Sequence, residues 1–181
     1  MLRISAVLAA LVTAAVVSAC AGSSSGHDEH SAEHNAADVM FAQNMIPHHQ
    51  QAVDMSAMVP SHTANRELIV MAKHISADQQ AEIHTLGELL EQWGEPVGHD
   101  GMGMDGMVDA ATMNKLQSLE GDAFDELWLN SMIRHHQGAI TMAAPEIANG
   151  ENPTAVKMAK TIVDWQQIEI GRMNALLGPT E

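Results

Sequence analysis

The chain has 181 residues and a formal net charge of −15, because 23 Asp and Glu outnumber 8 Lys and Arg. That length suits one domain with a hydrophobic core. The charge argues against nucleic acids and against a polybasic membrane patch, since both need clusters of Lys and Arg. A single Cys excludes an internal disulfide and any Cys-x-x-Cys site. The chain is rich in the metal-binding residue types, with 11 His and 14 Met.

Residues 1–19 have the features of an export signal. Arg3 is their only charge, and the apolar run that follows ends in Val17-Ser18-Ala19-Cys20. This run is slightly short for a permanent membrane span, which needs roughly 20 apolar residues. Its end resembles the bacterial lipobox, which implies a lipidated Cys20 that anchors the mature protein to the outer face of a bacterial membrane. The alternative is a plain secretory signal that leaves a free thiol.

Residues 20–34 form a predicted tether with a Gly/Ser-rich start and a His-rich end. Its three histidines, His27, His30 and His34, alternate with carboxylates. Two interpretations stay open for this segment. It is either a solvated spacer or a weak metal-collecting tail.

An internal repeat determines the predicted architecture. Residues 38–90 align without a gap on residues 125–177, at a shift of 87, with 20 identities in 53 positions. The strongest block pairs Met45-Ile46-Pro47-His48-His49-Gln50 with Met132-Ile133-Arg134-His135-His136-Gln137. Such agreement along both halves indicates a duplicated unit.

Each unit is predicted to be a helical hairpin, so that the two hairpins together make an all-α four-helix bundle. In residues 35–94, the first helix runs from an Asn35 cap to Val59, and the second from Asn65 to Gly94. In residues 122–178, Asp122 is the predicted first cap, Asn152-Pro153 opens the next helix and Gly178 ends it. The linker, residues 95–121, is rich in Met and Gly and has a possible short helix over 113–120.

Chemistry-bearing side chains recur on the predicted inward faces. At 100° per residue, each first helix presents two histidines and two methionines, and each second helix carries one Glu in its apolar stripe. The stripe around Glu169 includes Trp165. Two interpretations are open: a metal site, or core histidines of which His48 forms an ion pair with Glu82, with the methionines as packing residues. The candidate metal ligands are His48, His49, His135, His136, Met45, Met55, Met132, Met142, Glu82 and Glu169.

Copper suits this ligand set best, because imidazole binds copper and thioether favours soft Cu(I). The Glu-x-x-His pattern of ferritin-type di-iron sites and the His-Glu-x-x-His zinc motif are both absent from the sequence. The linker adds secondary candidates that can wrap a soft ion, although a mobile linker with no metal role is the alternative. These are His99, Met102, Met104 and Met107.

The paired His-His-Gln blocks, each followed by Gln-x-x-Glu-Ile, resemble the bacterial family catalogued as domain of unknown function 305. The resemblance covers residues 36–178. It implies a ferritin-like four-helix fold and export, and for some members copper binding with a role in copper tolerance. It directs attention to the four paired histidines and the methionines beside them. Arg134 stands where the family usually has Pro, so the two halves are not expected to bind metal equally.

Three functions remain open from the sequence. The first is a lipid-anchored, extracytoplasmic protein that binds copper for sequestration, transfer or tolerance. The second is a non-catalytic envelope interaction module with a buried His/Glu network and no metal. The third, a metal-dependent redox enzyme, is disfavoured by the missing Glu-x-x-His, and no catalytic motif is present.

Overall fold

The computed structural model describes residues 33–98 and 104–178, and within these ranges all regular structure is helical. Four long helices and one short helix occur in them: α1 Ala36–His62, α2 Arg66–Trp93, α3 Ala110–Ser118, α4 Gly121–Asn149 and α5 Pro153–Leu177. The long helices form a bundle in which α1 packs on α2 and α4, and α5 packs on α4 and α2. Neighbours run antiparallel; for example, Asn35 before α1 donates its side-chain amide to the Asn149 carbonyl at the end of α4 (2.7 Å). The predicted all-α four-helix bundle is therefore confirmed.

The helix ends follow the predicted caps, with one exception. Asn35 and Asp38 form a capping box at α1, and Gly94 ends α2 at a φ of +71°, which favours glycine. The exception is α4, whose N-cap is Glu120 and not Asp122. The reason is that α3 ends at Ser118 and the chain turns directly into α4.

Two other boundaries differ from the sequence-based expectation. Helix α1 continues through Pro60 to His62, because His62 donates from Nδ1 to the Leu119 carbonyl (2.7 Å) and stacks on Phe124 at 4.8 Å between ring centroids. These contacts hold the last turn despite the hydrogen bond that Pro cannot make. The short helix α3 begins at Ala110 rather than residue 113, since the Asp109 side chain caps it by accepting from the Thr112 N–H (2.7 Å).

The core consists of two apolar clusters, one toward each end of the bundle. One surrounds Trp128, whose indole N–H donates to the buried Met55 carbonyl at 2.9 Å. The other surrounds Phe41 and Leu90. Between them lie buried polar side chains from all four long helices: His48 and His49, Gln79, His135 and His136, and Gln166. The fold therefore places a polar layer across the middle of the bundle.

Candidate functional site

The four paired histidines, called here the histidine layer, lie in the interior with 0% of each residue exposed. They come from the equivalent turns of α1 and α4, which pack side by side. The rings of His48 and His135 meet across this contact, with their centroids 3.7 Å apart and their planes tilted by 33°. The repeat thus brings its two copies together at one point, and His48 and His135 lie at that point.

The outer histidine of each pair contacts a carboxylate on the second helix of its own hairpin. His49 Nε2 lies 2.7 Å from Glu82 Oε2, and His136 Nε2 lies 2.7 Å from Glu169 Oε2. Glu82 and Glu169 are 20% and 13% exposed, so they line the edge of the core rather than its centre. A His–Glu pair is therefore present in both halves, but in the first half His49 forms it and not His48, because the His48 ring meets His135 across the α1–α4 contact.

Trp165 departs from its predicted place in the apolar stripe, because 57% of it is exposed. It lines the mouth of a groove between α2 and α5 that reaches Glu169. The stripe on α5 is consequently narrower than the helical periodicity predicts. Its buried positions are Ala155, Ala159, Ile162, Gln166 and Met173.

The end of the linker closes the α1–α4 side of the histidine layer. The Asp105 carbonyl lies 3.2 Å from His48 Nε2. Gln51 fixes the same loop by accepting from the Val108 N–H (2.7 Å) and donating to its carbonyl (2.8 Å). In the second repeat the residue equivalent to Gln51 is Gly138, where any Cβ would overlap the Asp105 carbonyl. This difference between the repeats makes room for the linker.

The inner histidines are held in the neutral form. Burial, and secondly the neighbouring His49, lower the pKa of His48 to about 3. Burial, and secondly His48, lower the pKa of His135 well below its usual value. Neutral imidazole is the form that binds metals, so protons do not compete for these rings near neutral pH.

The hydrogen bonds also fix which nitrogen of each ring is available. Since the Asp105 carbonyl and the Glu82 and Glu169 carboxylates accept, we assign the Nε2 proton to His48, His49 and His136. Their Nδ1 atoms are buried and have no hydrogen-bond partner. Neither ring nitrogen of His135 makes a hydrogen bond of good geometry, although the His48 main chain lies close enough to oppose the lowering of the His135 pKa. Unpartnered buried nitrogens are rare in proteins and indicate capacity for a ligand.

Methionines flank the histidine layer on both sides. Met45 belongs to the Phe41 cluster, with Met142 packed against it, whereas Met55 and Met132 belong to the Trp128 cluster. Met45, Met55 and Met132 are fully buried, and Met142 is partly buried. The predicted thioethers therefore lie in the core above and below the imidazoles.

In the described ranges no three His, Cys, Asp or Glu side chains converge on one point as metal ligands would. The two inner rings contact each other at a tilt, and the two outer rings turn toward separate carboxylates. A metal in the histidine layer would therefore need thioether ligands or a rotation of the two inner rings.

The remaining predicted residues divide into two groups. Met104 and Met107 are described, are partly buried and line a cavity of about 590 Å³ with Met113, a residue that the sequence analysis did not single out. His34 stacks on Trp93 at 4.8 Å between ring centroids. The signal, Cys20, His27, His30, His99 and Met102 lie outside the described residues.

A buried pair of acids lies outside the residues predicted from the sequence. Asp38 and Glu146 are 0% and 1% exposed. Burial alone would raise the pKa of Asp38, but N–H donors from Asn35, Asn152 and Glu151 lower it overall. Burial, and secondly the adjacent Asp38, raise the pKa of Glu146 to about 8. The repeat could have indicated that Glu146 is buried, because the equivalent residue in the first half is the apolar Val59.

No helix within residues 33–98 and 104–178 has the length and apolar character needed to cross a membrane.

Comparison with known proteins matches residues 38–177 to the family described as domain of unknown function DUF305. A Streptomyces coelicolor structure named as a secreted DUF305 protein is 33% identical, covers 78% of this chain and 91% of its own, and gives a TM-score of 0.72. A DUF305 fragment from Deinococcus radiodurans is 31% identical, with coverages of 80% and 97% and a TM-score of 0.74. CopM in its Cu(II)-bound form is 34% identical, with coverages of 75% and 92% and a TM-score of 0.66. No curated protein matches the chain.

Proposed function

The chain belongs to the DUF305 family, and from that premise we propose that it is an exported, lipid-anchored protein that binds copper in its histidine layer. Its role would be copper sequestration, transfer or tolerance rather than catalysis. The similarity to CopM, which was solved with Cu(II), Cu(I) and Ag bound, supports a soft late transition metal as the cargo.

The observation that carries this proposal is the set of unpartnered buried nitrogens in the histidine layer. Burying a polar atom without a partner is unfavourable by about 1–3 kcal/mol. Five such nitrogens occur there: Nδ1 of His48, His49 and His136, and both nitrogens of His135. Copper bound by these nitrogens would satisfy them, and the buried Met45, Met55 and Met132 would favour Cu(I).

In this proposal Glu82 and Glu169 orient the metal-binding histidines and do not bind the metal themselves. Each accepts a hydrogen bond from Nε2 of a histidine, which fixes the ring and leaves Nδ1 for the metal. Carboxylates commonly orient metal-binding histidines in this way and raise their basicity. A Glu-to-Gln change at either position would weaken copper binding, by about tenfold or more, without removing a ligand.

Access to the histidine layer would run through the linker. Asp105 and Gly106 pack against α1 and α4 directly over His48 and Gly138. Met104 and Met107 stand on the same loop, so an ion bound by their thioethers would have a short path to the imidazoles. The His-rich residues 20–34 would collect ions at the membrane surface, with Cys20 as the anchor.

The test is copper retention by paired histidine variants. The purified protein is loaded with Cu(II), or with Cu(I) under anaerobic reducing conditions, and the retained metal is measured after desalting. We expect the native protein to retain copper, and His48→Gln with His135→Gln to lose it. A matched control, His74→Gln with His84→Gln, removes two exposed histidines of α2 and should retain copper as the native protein does.

Two further measurements make the result decisive. Far-UV circular dichroism and the melting temperature show that each variant keeps its helical fold. A variant without residues 21–34 separates the tail from the bundle. Copper lost only with the tail, or retained fully by the His48 and His135 variant, would contradict a site in the histidine layer.

A metal-free interaction module is the second candidate, because the His–Glu pairs are complete without an ion and no three ligands converge in the described ranges. For this candidate, copper should leave the melting temperature of the native protein unchanged. A copper-dependent rise in that temperature, absent from the His48 and His135 variant, would decide for copper binding.

A further inference from the structure

A second polar site lies on the face of the bundle opposite the linker. Helices α2 and α5 are separated there by a groove of about 410 Å³, called here the α2–α5 groove. The described end of the linker, at residues 105–108, packs on α1 and α4, on the other side of the bundle. The groove is lined by Ile75, Asp78, Gln79, Ala81, Glu82, Thr161, Ile162, Trp165, Gln166 and Glu169.

The α2–α5 groove is strongly acidic. It contains three carboxyl groups, and no Lys or Arg side chain is among the lining residues. Burial, and secondly Glu169 and Glu82, raise the pKa of Asp78, so the three carboxyl groups sense one another. Arg66 and Arg172 line a neighbouring cavity that shares Glu169. His74 lies near enough to Asp78 to oppose this rise.

Two glutamines at the base of the groove have unused hydrogen-bonding capacity. Gln79 and Gln166 are both 3% exposed. Neither amide atom of Gln79 has a partner, nor does Oε1 of Gln166. Buried amides are normally paired, so the unpartnered Oε1 atoms of Gln79 and Gln166 indicate a ligand that donates hydrogen bonds, whereas Nε2 of Gln79 is itself a donor.

The duplication makes the mouth of the groove asymmetric. Asp78 on α2 and Trp165 on α5 are equivalent positions of the repeat, so they lie on opposite walls. A carboxylate and a largely exposed indole face then present two attractions to one organic cation, a charge pair and a cation–π contact. The charge pair therefore comes from α2 alone and the cation–π contact from α5 alone.

We propose that the α2–α5 groove binds an alkylammonium group, supplied either by a free aliphatic diamine or by a lysine side chain of a partner protein. The carboxylates do not converge as metal ligands do, and the groove is far larger than one ion. Ile75 and Ile162 offer apolar walls for a methylene chain, and the carbonyl oxygens of Gln79 and Gln166 accept from the ammonium. Glu82 and Glu169 belong to both sites, because they line the groove and also hold His49 and His136, whereas Asp78 and Trp165 line the groove without contacting the histidines.

Isothermal titration calorimetry on the purified protein tests the proposal with two probes. 1,4-Diaminobutane represents the free diamine, and N-acetyl-lysine methylamide represents the side chain. We expect saturable binding of at least one probe, weakened about tenfold in Asp78→Asn and about fivefold in Trp165→Ala. Asp164→Asn is the matched control, because Asp164 is exposed on α5 and does not line the groove.

The two probes identify the source of the ammonium. Tighter binding of the diamine indicates a free ligand, and equal or tighter binding of the lysine derivative indicates a protein partner. Either result supports the groove if the two variants weaken it and the control does not. Absence of binding by both probes, or equal binding by Asp78→Asn and native protein, would overturn the proposal.

Copper retention separates this inference from the proposed function. Asp78→Asn and Trp165→Ala should retain as much copper as the native protein, since neither residue touches the histidine layer. The His48→Gln and His135→Gln variant should bind the ammonium probes normally. If that variant lost the ammonium probes together with copper, a separate ammonium site would be contradicted.

Discussion

Glu146 is a carboxyl group that the fold keeps protonated, and its removal should change how stability depends on pH. The side chain is 1% exposed and lies beside Asp38, where α1 begins and α4 ends. Burial, and secondly Asp38, raise its pKa from 4.5 to about 8. From pH 4.5 to 8 the unfolded chain has released this proton, whereas the folded protein still holds it.

The magnitude follows from proton linkage. The contribution of Glu146 to the free energy of unfolding should fall by about 1.4 kcal/mol for each pH unit in this window, to a total of at most about 5 kcal/mol. The stabilisation by Glu146 is thus complete below pH 4.5 and lost as the pH rises to about 8. Asp38 does not add to the slope, because its pKa is lowered from 3.8 and its contribution is already constant there.

Glu146→Gln tests this reasoning, because an amide keeps the shape and a hydrogen-bond donor but cannot ionise. We expect the variant to match the native protein within about 1 kcal/mol at pH 5 and to exceed it by several kcal/mol at pH 8.5. Urea unfolding at pH 5, 7 and 8.5 measures this, with the exposed Glu126→Gln on the same helix as control. Parallel pH profiles of native protein and Glu146→Gln would refute the argument.

Three further predictions concern the core and the linker. Gly138→Ala should displace the loop at Asp105, cost about 1–3 kcal/mol and speed hydrogen exchange over residues 104–109. Trp128→Phe removes the buried hydrogen bond to the Met55 carbonyl and should lower the free energy of unfolding by about 1–3 kcal/mol. Because the pKa of His48 is lowered to about 3, its contribution to the free energy of unfolding should fall by about 1.4 kcal/mol for each pH unit below pH 6.5, which is opposite in sign to the contribution of Glu146. Urea unfolding at pH 7, 5.5 and 4.5 should therefore show the stability of His48→Gln rising relative to that of the native protein as the pH falls.

The fold could be predicted because the same helical signals occur twice. The repeat aligns Asn65 with Asn152, and both cap the second helix of their hairpin. The paired histidines fall on the inward face in both copies, as helical periodicity requires. Helix-capping residues and the helical periodicity of apolar residues were therefore enough to predict the four long helices. They also predicted where along the bundle the buried polar layer lies.

The arrangement of side chains within the site could not be predicted in the same way. Periodicity places His48 and His49 on one face but does not say that His48 meets its copy while His49 meets Glu82. That choice depends on the α1–α4 crossing, which is a tertiary property. The same holds for Trp165, whose exposure depends on how far α2 and α5 separate.

The features that distinguish the two halves of the bundle come from positions at which the repeats differ. Gly138 in place of Gln51 admits the linker, and Glu146 in place of Val59 creates the buried acid pair. Each difference is visible in the aligned sequence as a break in chemical type. Its consequence needs the neighbouring element, which the sequence does not reveal.

Anomalous diffraction at the copper edge from crystals of the copper-loaded protein tests the central claim most directly. The account predicts an ion in the histidine layer, within bonding distance of His48 or His135 and of a neighbouring methionine sulfur. It also predicts that Glu82 and Glu169 stay on Nε2 of His49 and His136. Copper found only on the tail or the linker would contradict the account, if the ring contact between His48 and His135 were also unchanged.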